Sequence, residues 1–405
     1  MIVSGFGAPL PLSIQAGNSA SIDGAGRWRI SEPTTVFDSK LLVDKQPLFW
    51  DESLGAGCTS TYNTNQSSVT LTSANTGTVS AIRQTFRRMP YQPGKSQLFH
   101  LTFVMGSPVA NQFQEVGAFD DNNGFFIRQT GTYKALVRRT YTSGSAVDNE
   151  VQQSSWNLDK LDGTGKSGLT LDLTKDTFFT FDFLWQGVGA IRFGFKFNGT
   201  IVYCHEMTIA NNLSVPSIQI PNLPIRYSVR GNGSQAATAT LTQICSTCIS
   251  EGGFNPIGMV RSVNNGNTVK TIASGATAAL LSIRLKSTNT MASISEKKLS
   301  VLAKTSTNFL WQLIFNTTLG GVPSYTGLTN SSIEYDVAGT TVTGGIIVAS
   351  GYGSGTIDQI DSDIENALHL GSSITGTLDI ITLAVTNLGV ANEDFLGSVT
   401  WKELL

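Results

Sequence analysis

Histidine and cysteine are scarce in this 405-residue chain, with three of the first and four of the second. So few imidazoles leave little material for acid–base or metal chemistry at neutral pH. Four cysteines are too few to staple a scaffold of this size, so a reducing folding compartment is expected. Charge is sparse as well, at 14% of residues, and Lys+Arg 27 against Asp+Glu 29 gives a net charge of -2. Without a basic excess there is no general attraction for nucleic acid or an anionic membrane. No apolar run approaches the roughly 20 residues of a membrane-spanning helix. The opening MIVSGFGAPLPL lacks the basic end of a signal peptide. Neither nucleic acid nor membrane is an expected partner.

What is present is β-forming. Runs of Val, Ile, Thr, Phe and Tyr are cut every eight to twelve residues or so by Gly, Asn, Asp or Ser, the pattern of sandwiches and barrels. Within 169–185, Leu169, Leu171 and Leu173 alternate with polar residues, as do Phe179, Phe181 and Phe183. A period of two places each set on one face of a strand. Asn198-Gly199, between Ile191–Phe197 and Ile201–Tyr203, fits a type I′ turn and predicts a hairpin over 191–204. Asp120 to Gly124 predicts a second turn. The spacing over 357–370 predicts a helix, with Ile357, Ile360, Ile364, Ala367 and Leu368 on one face.

These signals predict an all-β chain: an antiparallel jelly-roll or concanavalin-like β-sandwich over 21–250, a glycine hinge at 251–254, and a second, smaller β-sandwich over 255–405. Strands are expected at 277–285, 298–303, 309–315, 332–337, 345–350 and 378–385. Residues 1–20, rich in Gly, Ser and Ala with two prolines, read as an arm ordered by a partner.

No complete catalytic constellation emerges. Cys245 and Cys248 have the spacing of half a zinc site, and Cys58 and Cys204 are available to finish a cage, but the usual second close pair is missing. Asp162-Gly-Thr-Gly-Lys-Ser167 ends like a phosphate-binding loop, yet Lys160 stands where the first glycine belongs and an alternating run follows instead of a helix. His100, His205 and His369 read as structural; His205 and Glu206 are strand neighbours that point to opposite faces. A glycosidase-type acid pair needs two acids about 5–10 Å apart; Asp182 and Glu206 are available on strands and Asp120 and Asp121 at a turn, and nothing in the sequence places either pair across a groove. Asp120, Asp121 and Asn123 offer oxygen ligands for calcium, but the loop departs from the EF-hand spacing and a solvated turn is the expected role. Trp156, Trp185, Tyr133 and Tyr141 suit sugar stacking or core packing. The sequons at Asn65, Asn198, Asn212, Asn232, Asn316 and Asn330 carry no weight without an export signal. No catalytic, cofactor-binding or metal-binding residue is assigned.

Residues 23–52 (Asp23-Gly-Ala-Gly-Arg-Trp-Arg-Ile-Ser-Glu-Pro33 through Phe37, then Pro47-Leu-Phe-Trp50-Asp51-Glu52) resemble a group of virion-associated proteins of large tailed bacteriophages and other large DNA viruses. The resemblance continues at Gly117 to Gly124, Trp156 to Gly163, Trp185-Gln-Gly-Val-Gly189, Asn198-Gly199, His205-Glu206 and Asn222-Leu-Pro224-Ile-Arg226-Tyr227. The end at Ser398-Val-Thr-Trp401-Lys402-Glu403 is similar to the small β-domains closing phage fibre proteins. The resemblance implies a non-enzymatic structural component of a virus particle: a capsid, neck, tail or fibre element in the virion, assembled in the host cytoplasm. It implies a homo-oligomer, expected as a trimer, with other virion proteins as partners, or alternatively a lectin-like receptor for host surface glycan on the same particle. No cofactor is implied.

Overall fold

The computed structural model describes residues 31–255, 257–354, 358–361 and 370–404. The expected arm at 1–20 and His369 lie outside the described residues.

Among the described residues the chain is nearly all-β, and every strand pairing is antiparallel. A seven-stranded sheet runs in the order Val147–Gln152, Lys134–Thr140, Gly124–Gln129, Gln112–Phe119, Ile225–Gly231, Ser80–Thr85, Trp50–Leu54. It packs against an eight-stranded sheet ordered Thr200–Met207, Ile191–Phe197, Thr177–Phe183, Ser96–Met105, Thr240–Glu251, Ser68–Thr72, Thr59–Asn63, with Pro33–Lys40 also paired to Thr240–Glu251. Alternation decides which side chains fill the space between them. In Ser96–Met105, Phe99, Leu101 and Phe103 are fully buried, while His100, Thr102 and Val104 face outward. Phe99, Phe179, Phe181, Phe183, Phe193 and Phe195 form one aromatic layer, with Phe99 and Phe181 stacked at 4.9 Å. Each such side chain contributes roughly 1.5–3 kcal/mol on burial.

The remaining sheets draw all their strands from Met259 onward. A five-stranded sheet centred on Ser293–Ala303 and Glu393–Leu404 faces a six-stranded sheet centred on Thr277–Leu285 and Ile380–Asn387. Between them lies a second core, including Leu281, Leu313, Leu383, Phe395 and Trp401. The glycines linking the sandwiches are pinned rather than free: the Gly252 and Gly253 amides both donate to the Glu32 carbonyl, at 3.3 and 2.6 Å. Both have positive φ, 132° and 76°.

The hairpin at 198–199 forms as expected, with φ of 48° and 84° for Asn198 and Gly199. Two expectations need correction. Leu169 to Leu173 is a loop with a single bridge, Asp162 to Thr170. Its Leu171 and Leu173 are buried all the same, because the Leu171 amide bonds to the Leu161 carbonyl and the Leu173 carbonyl accepts from Met105, strapping the loop against the core. In the expected helix, Asp358–Asp361 is a strand paired with Lys298–Val301, since β-pairing at an available sheet edge overrides a short amphipathic period. Residues 355–357 and 362–369 lie outside the described residues.

Candidate functional site

The outward face of the seven-stranded sheet carries a dense cluster of charged side chains. Alternation along Gln112–Phe119 turns Val116 and Ala118 into the core and leaves Phe113, Glu115, Gly117 and Phe119 on the other face. Neighbouring strands add Phe126 and Arg128, Arg139, and Arg226, Ser228 and Arg230 to that face. Glu115 is completely buried at its centre. Arg128 donates to Glu115 Oε1 through Nε at 2.8 Å and Nη2 at 2.6 Å; Arg230 donates through Nε to Oε2 at 2.8 Å, and Ser228 Oγ to Oε2 at 2.9 Å. Burial alone would raise the Glu115 pKa, but Arg230 and Arg128 drive it far below the usual carboxylate range. Arg128 and Arg139 share Asp148, and Arg128 also pairs with Glu150. The guanidinium groups lie over phenyl rings: Arg128 over Phe126 at 5.2 Å, Arg139 over Phe126 at 5.1 Å, Arg226 over Phe119 at 5.4 Å.

At one end this face opens into a cleft of about 290 Å³ between the two sandwiches. Gln84, Arg88, Asp120, Asp121, Asn122 and Arg226 form one wall. Ser287, Thr290, Met291, Ser372, Ser373 and Ile374, from loops of the second sandwich, contribute the other. The planar groups are fixed by one another. Arg88 Nη1 donates to Asp120 Oδ2 at 2.7 Å, Arg226 Nη1 to Asp121 Oδ1 at 2.5 Å, and Arg226 Nε to Gln84 Oε1 at 2.7 Å. The Ile374 amide donates to Asp51 Oδ2 at 2.6 Å, tying the loop to the sheet. Burial would raise the Asp120 pKa, but Arg88 and the amides of Asn123 and Asn122 hold it below the ordinary range. The cleft therefore offers two cations, two anions, amides and hydroxyls.

The structure disperses the residues singled out in the sequence. Cys245 is exposed while Cys58, Cys204 and Cys248 are buried, and no group of three or more metal-ligating side chains occurs among the described residues. In the 162–167 turn, Asp159 accepts the Ser167 amide at 2.7 Å and the Leu161 amide at 2.9 Å, so a carboxylate fills the loop where a phosphate would sit. His205 Nδ1 accepts the Asn157 amide at 3.2 Å, and His100 bonds to Thr180 at 3.1 Å. Asp182 and Glu206 do share a face, with Arg192 in register between them. Arg192 clamps Asp182 at 3.0 and 2.7 Å, so a guanidinium occupies the space an acid pair needs for its substrate. The turn at 120–124 is only partly solvated: Asp121 is exposed, whereas Asp120 and Asn123 are buried, with Asp120 accepting the amides of Asn122 and Asn123. Trp156 packs in the core and Trp185 donates to the Ile218 carbonyl. Tyr133 donates to Glu150.

Sequence reasoning passed over Glu115 and its arginines. The available signal was charge at alternate positions on adjacent strands, which becomes a pattern only once the strand order is known.

No protein-family description and no curated protein matches the chain. Solved structures similar to it include a glycosyl hydrolase family protein from Mycobacterium fortuitum, 9% identical with a TM-score of 0.36, covering 53% of this chain and 99% of that one. A prokaryotic β-1,3-1,4-glucanase (lichenase) from a mouse hindgut metagenome is 11% identical with a TM-score of 0.33, covering 54% and 99%. The Bacillus licheniformis β-glucanase is 11% identical with a TM-score of 0.33, covering 54% and 98%. The expectation of a non-enzymatic virus-particle component, and of a receptor lectin on such a particle, is corrected: these neighbours are glycosyl hydrolases and glucanases. The physical reason lies in the residues that carried the resemblance. Trp50 and Trp156 are core residues, Asn198-Gly199 is a tight turn, and a Cβ at Gly189 would sit 1.4 Å from the Leu184 carbonyl oxygen. Such residues report a sandwich's packing and turns, and a fold hosts many functions.

Proposed function

We propose that the protein binds a neutral carbohydrate chain in the cleft between its sandwiches, without cleaving it. The observation that carries this reading is the charge-balanced wall of fixed planar groups: Arg88 with Asp120 and Arg226 with Asp121. Balanced charge disfavours a phosphate or a polyamine, while carboxylate, guanidinium and amide edges suit the adjacent hydroxyls of a sugar ring. Ser287, Thr290, Ser372 and Ser373 supply hydroxyl partners opposite, and Met291 and Ile374 supply apolar contact. Cleavage by paired carboxyls needs a protonated acid beside the scissile bond, and the carboxylate of Asp120 is held ionised. A glycan array, followed by an assay for new reducing ends on each bound glycan, tests both halves. Binding without new ends supports the reading. New ends contradict the second half, and binding confined to acidic glycans contradicts the first.

A further inference from the structure

The opposite side of the first sandwich presents a feature unconnected with the cleft. Three Thr-x-Thr segments lie in register on adjacent strands of the eight-stranded sheet: Thr59-Ser-Thr61, Thr70-Leu-Thr72 and Thr240-Leu-Thr242. The pairings Thr59 to Thr72 to Thr240 and Thr61 to Thr70 to Thr242 make two parallel rows of three. Leu71 and Leu241 between them are fully buried, so all six threonines face outward, where they are exposed or half-buried. Strand geometry spaces neighbours within a row by about 4.8 Å and the rows by about 6.7 Å. The hydroxyls are already oriented: Thr70 and Thr242 share a bond at 2.9 Å, and Asn63 Nδ2 donates to Thr70 Oγ1 at 2.8 Å. At Thr242 the lattice borders a cavity of about 550 Å³, also lined by Gln66, Ser68, Val104, Asp176 and Ile244.

We propose that this lattice and its cavity form a second binding site, for an uncharged, linear oligosaccharide. Each threonine pairs a hydroxyl with a methyl group, the same combination of polar rim and apolar face that a sugar ring carries. Repetition at fixed spacing suits a ligand that repeats. The cavity is large enough for a ring at the end of the lattice. Asp176 is the one charged side chain among the described residues lining it, so nothing there recruits a phosphate, sulfate or uronate. The site shares no residue with the cleft and does not depend on it.

The test titrates the full chain calorimetrically with cellohexaose, laminarihexaose, mannohexaose and chitohexaose, with hexagalacturonate as the acidic control. The variant Thr61→Val/Thr70→Val/Thr242→Val removes three hydroxyls while keeping side-chain shape and strand preference. Asp176→Trp, at an exposed position on the cavity rim, gives a second variant that fills the cavity should the first fail to fold. The expected result is a binding event for a neutral hexasaccharide that weakens about tenfold or more in the triple valine variant and in Asp176→Trp, and persists in the cleft-filling variant Ser287→Trp. Unchanged affinity in both lattice variants, no binding by any panel member, or equal binding of hexagalacturonate overturns the proposal. A single event lost only in Ser287→Trp overturns it while leaving the cleft reading intact; a single event lost only in the lattice variants does the reverse.

Discussion

Glu115 and Arg128 stand directly opposite each other on adjacent antiparallel strands, and two nitrogens of the guanidinium meet one carboxylate oxygen at 2.8 and 2.6 Å. With Arg230 on the other flank, this pair is the fixed centre of the charged face leading to the cleft.

Replacing Glu115 by Gln removes the anion that the buried Arg128 and the half-buried Arg230 share, and leaves Arg128 with Asp148 and Glu150 alone. The expected loss is about 3–5 kcal/mol of unfolding free energy, the usual penalty for breaking a buried ion pair by removing one partner. Denaturant unfolding monitored by tryptophan fluorescence measures it. A loss below about 1 kcal/mol means the network is not holding the sheet face.

The same variant has a defined pH dependence. The folded-state pKa of Glu115 is depressed, so its contribution is present above the unfolded value of about 4.3 and is lost as pH falls toward the folded one. The stability gap between wild type and Glu115→Gln is therefore expected to be full at pH 7 and to shrink as pH is lowered through 4. A gap that stays constant from pH 7 to pH 3 contradicts the assignment.

Gly189→Ala tests the turn after the Thr177–Phe183 strand. The new methyl would lie 1.4 Å from the Leu184 carbonyl oxygen, while the Gly189 amide donates to Trp185 at 2.9 Å. Relief requires opening the turn, so a loss of several kcal/mol or a failure to fold is expected from thermal melts. A melting temperature within a degree of wild type would show that the turn relaxes freely.

Thiol accessibility follows from burial. Cys245 is exposed and the other three cysteines are buried, with burial pushing the Cys204 and Cys248 thiols well above their ordinary range. A thiol-reactive chromophore is expected to label about one thiol per native chain rapidly, and all four after denaturation. Two or more fast native thiols would contradict this packing.

These features differ in how far the sequence exposes them. The alternation of Phe179, Phe181 and Phe183 and the Asn198-Gly199 turn are local codes, and both are realised as strand and hairpin. Leu169, Leu171 and Leu173 show the limit of such codes, since burial of alternate leucines was achieved by a strapped loop rather than by pairing. The cleft was not legible at all. The loop forming one wall is anchored by a bond between Ile374 and Asp51, 323 positions apart, and no periodicity records which loop meets which sheet. Arg226 and Asp121, too, become partners only through the strand order.

The most direct test of the cleft is calorimetric titration of wild type and Ser287→Trp with whichever neutral oligosaccharide the array selects. Ser287 is exposed at the cleft wall, so the indole fills the space without disturbing either core. The expected result is saturable binding by wild type, loss of the cleft event in Ser287→Trp at an unchanged melting temperature while any event at the threonine lattice remains, and no new reducing ends. Identical isotherms for the two proteins, or binding by neither, would contradict the account.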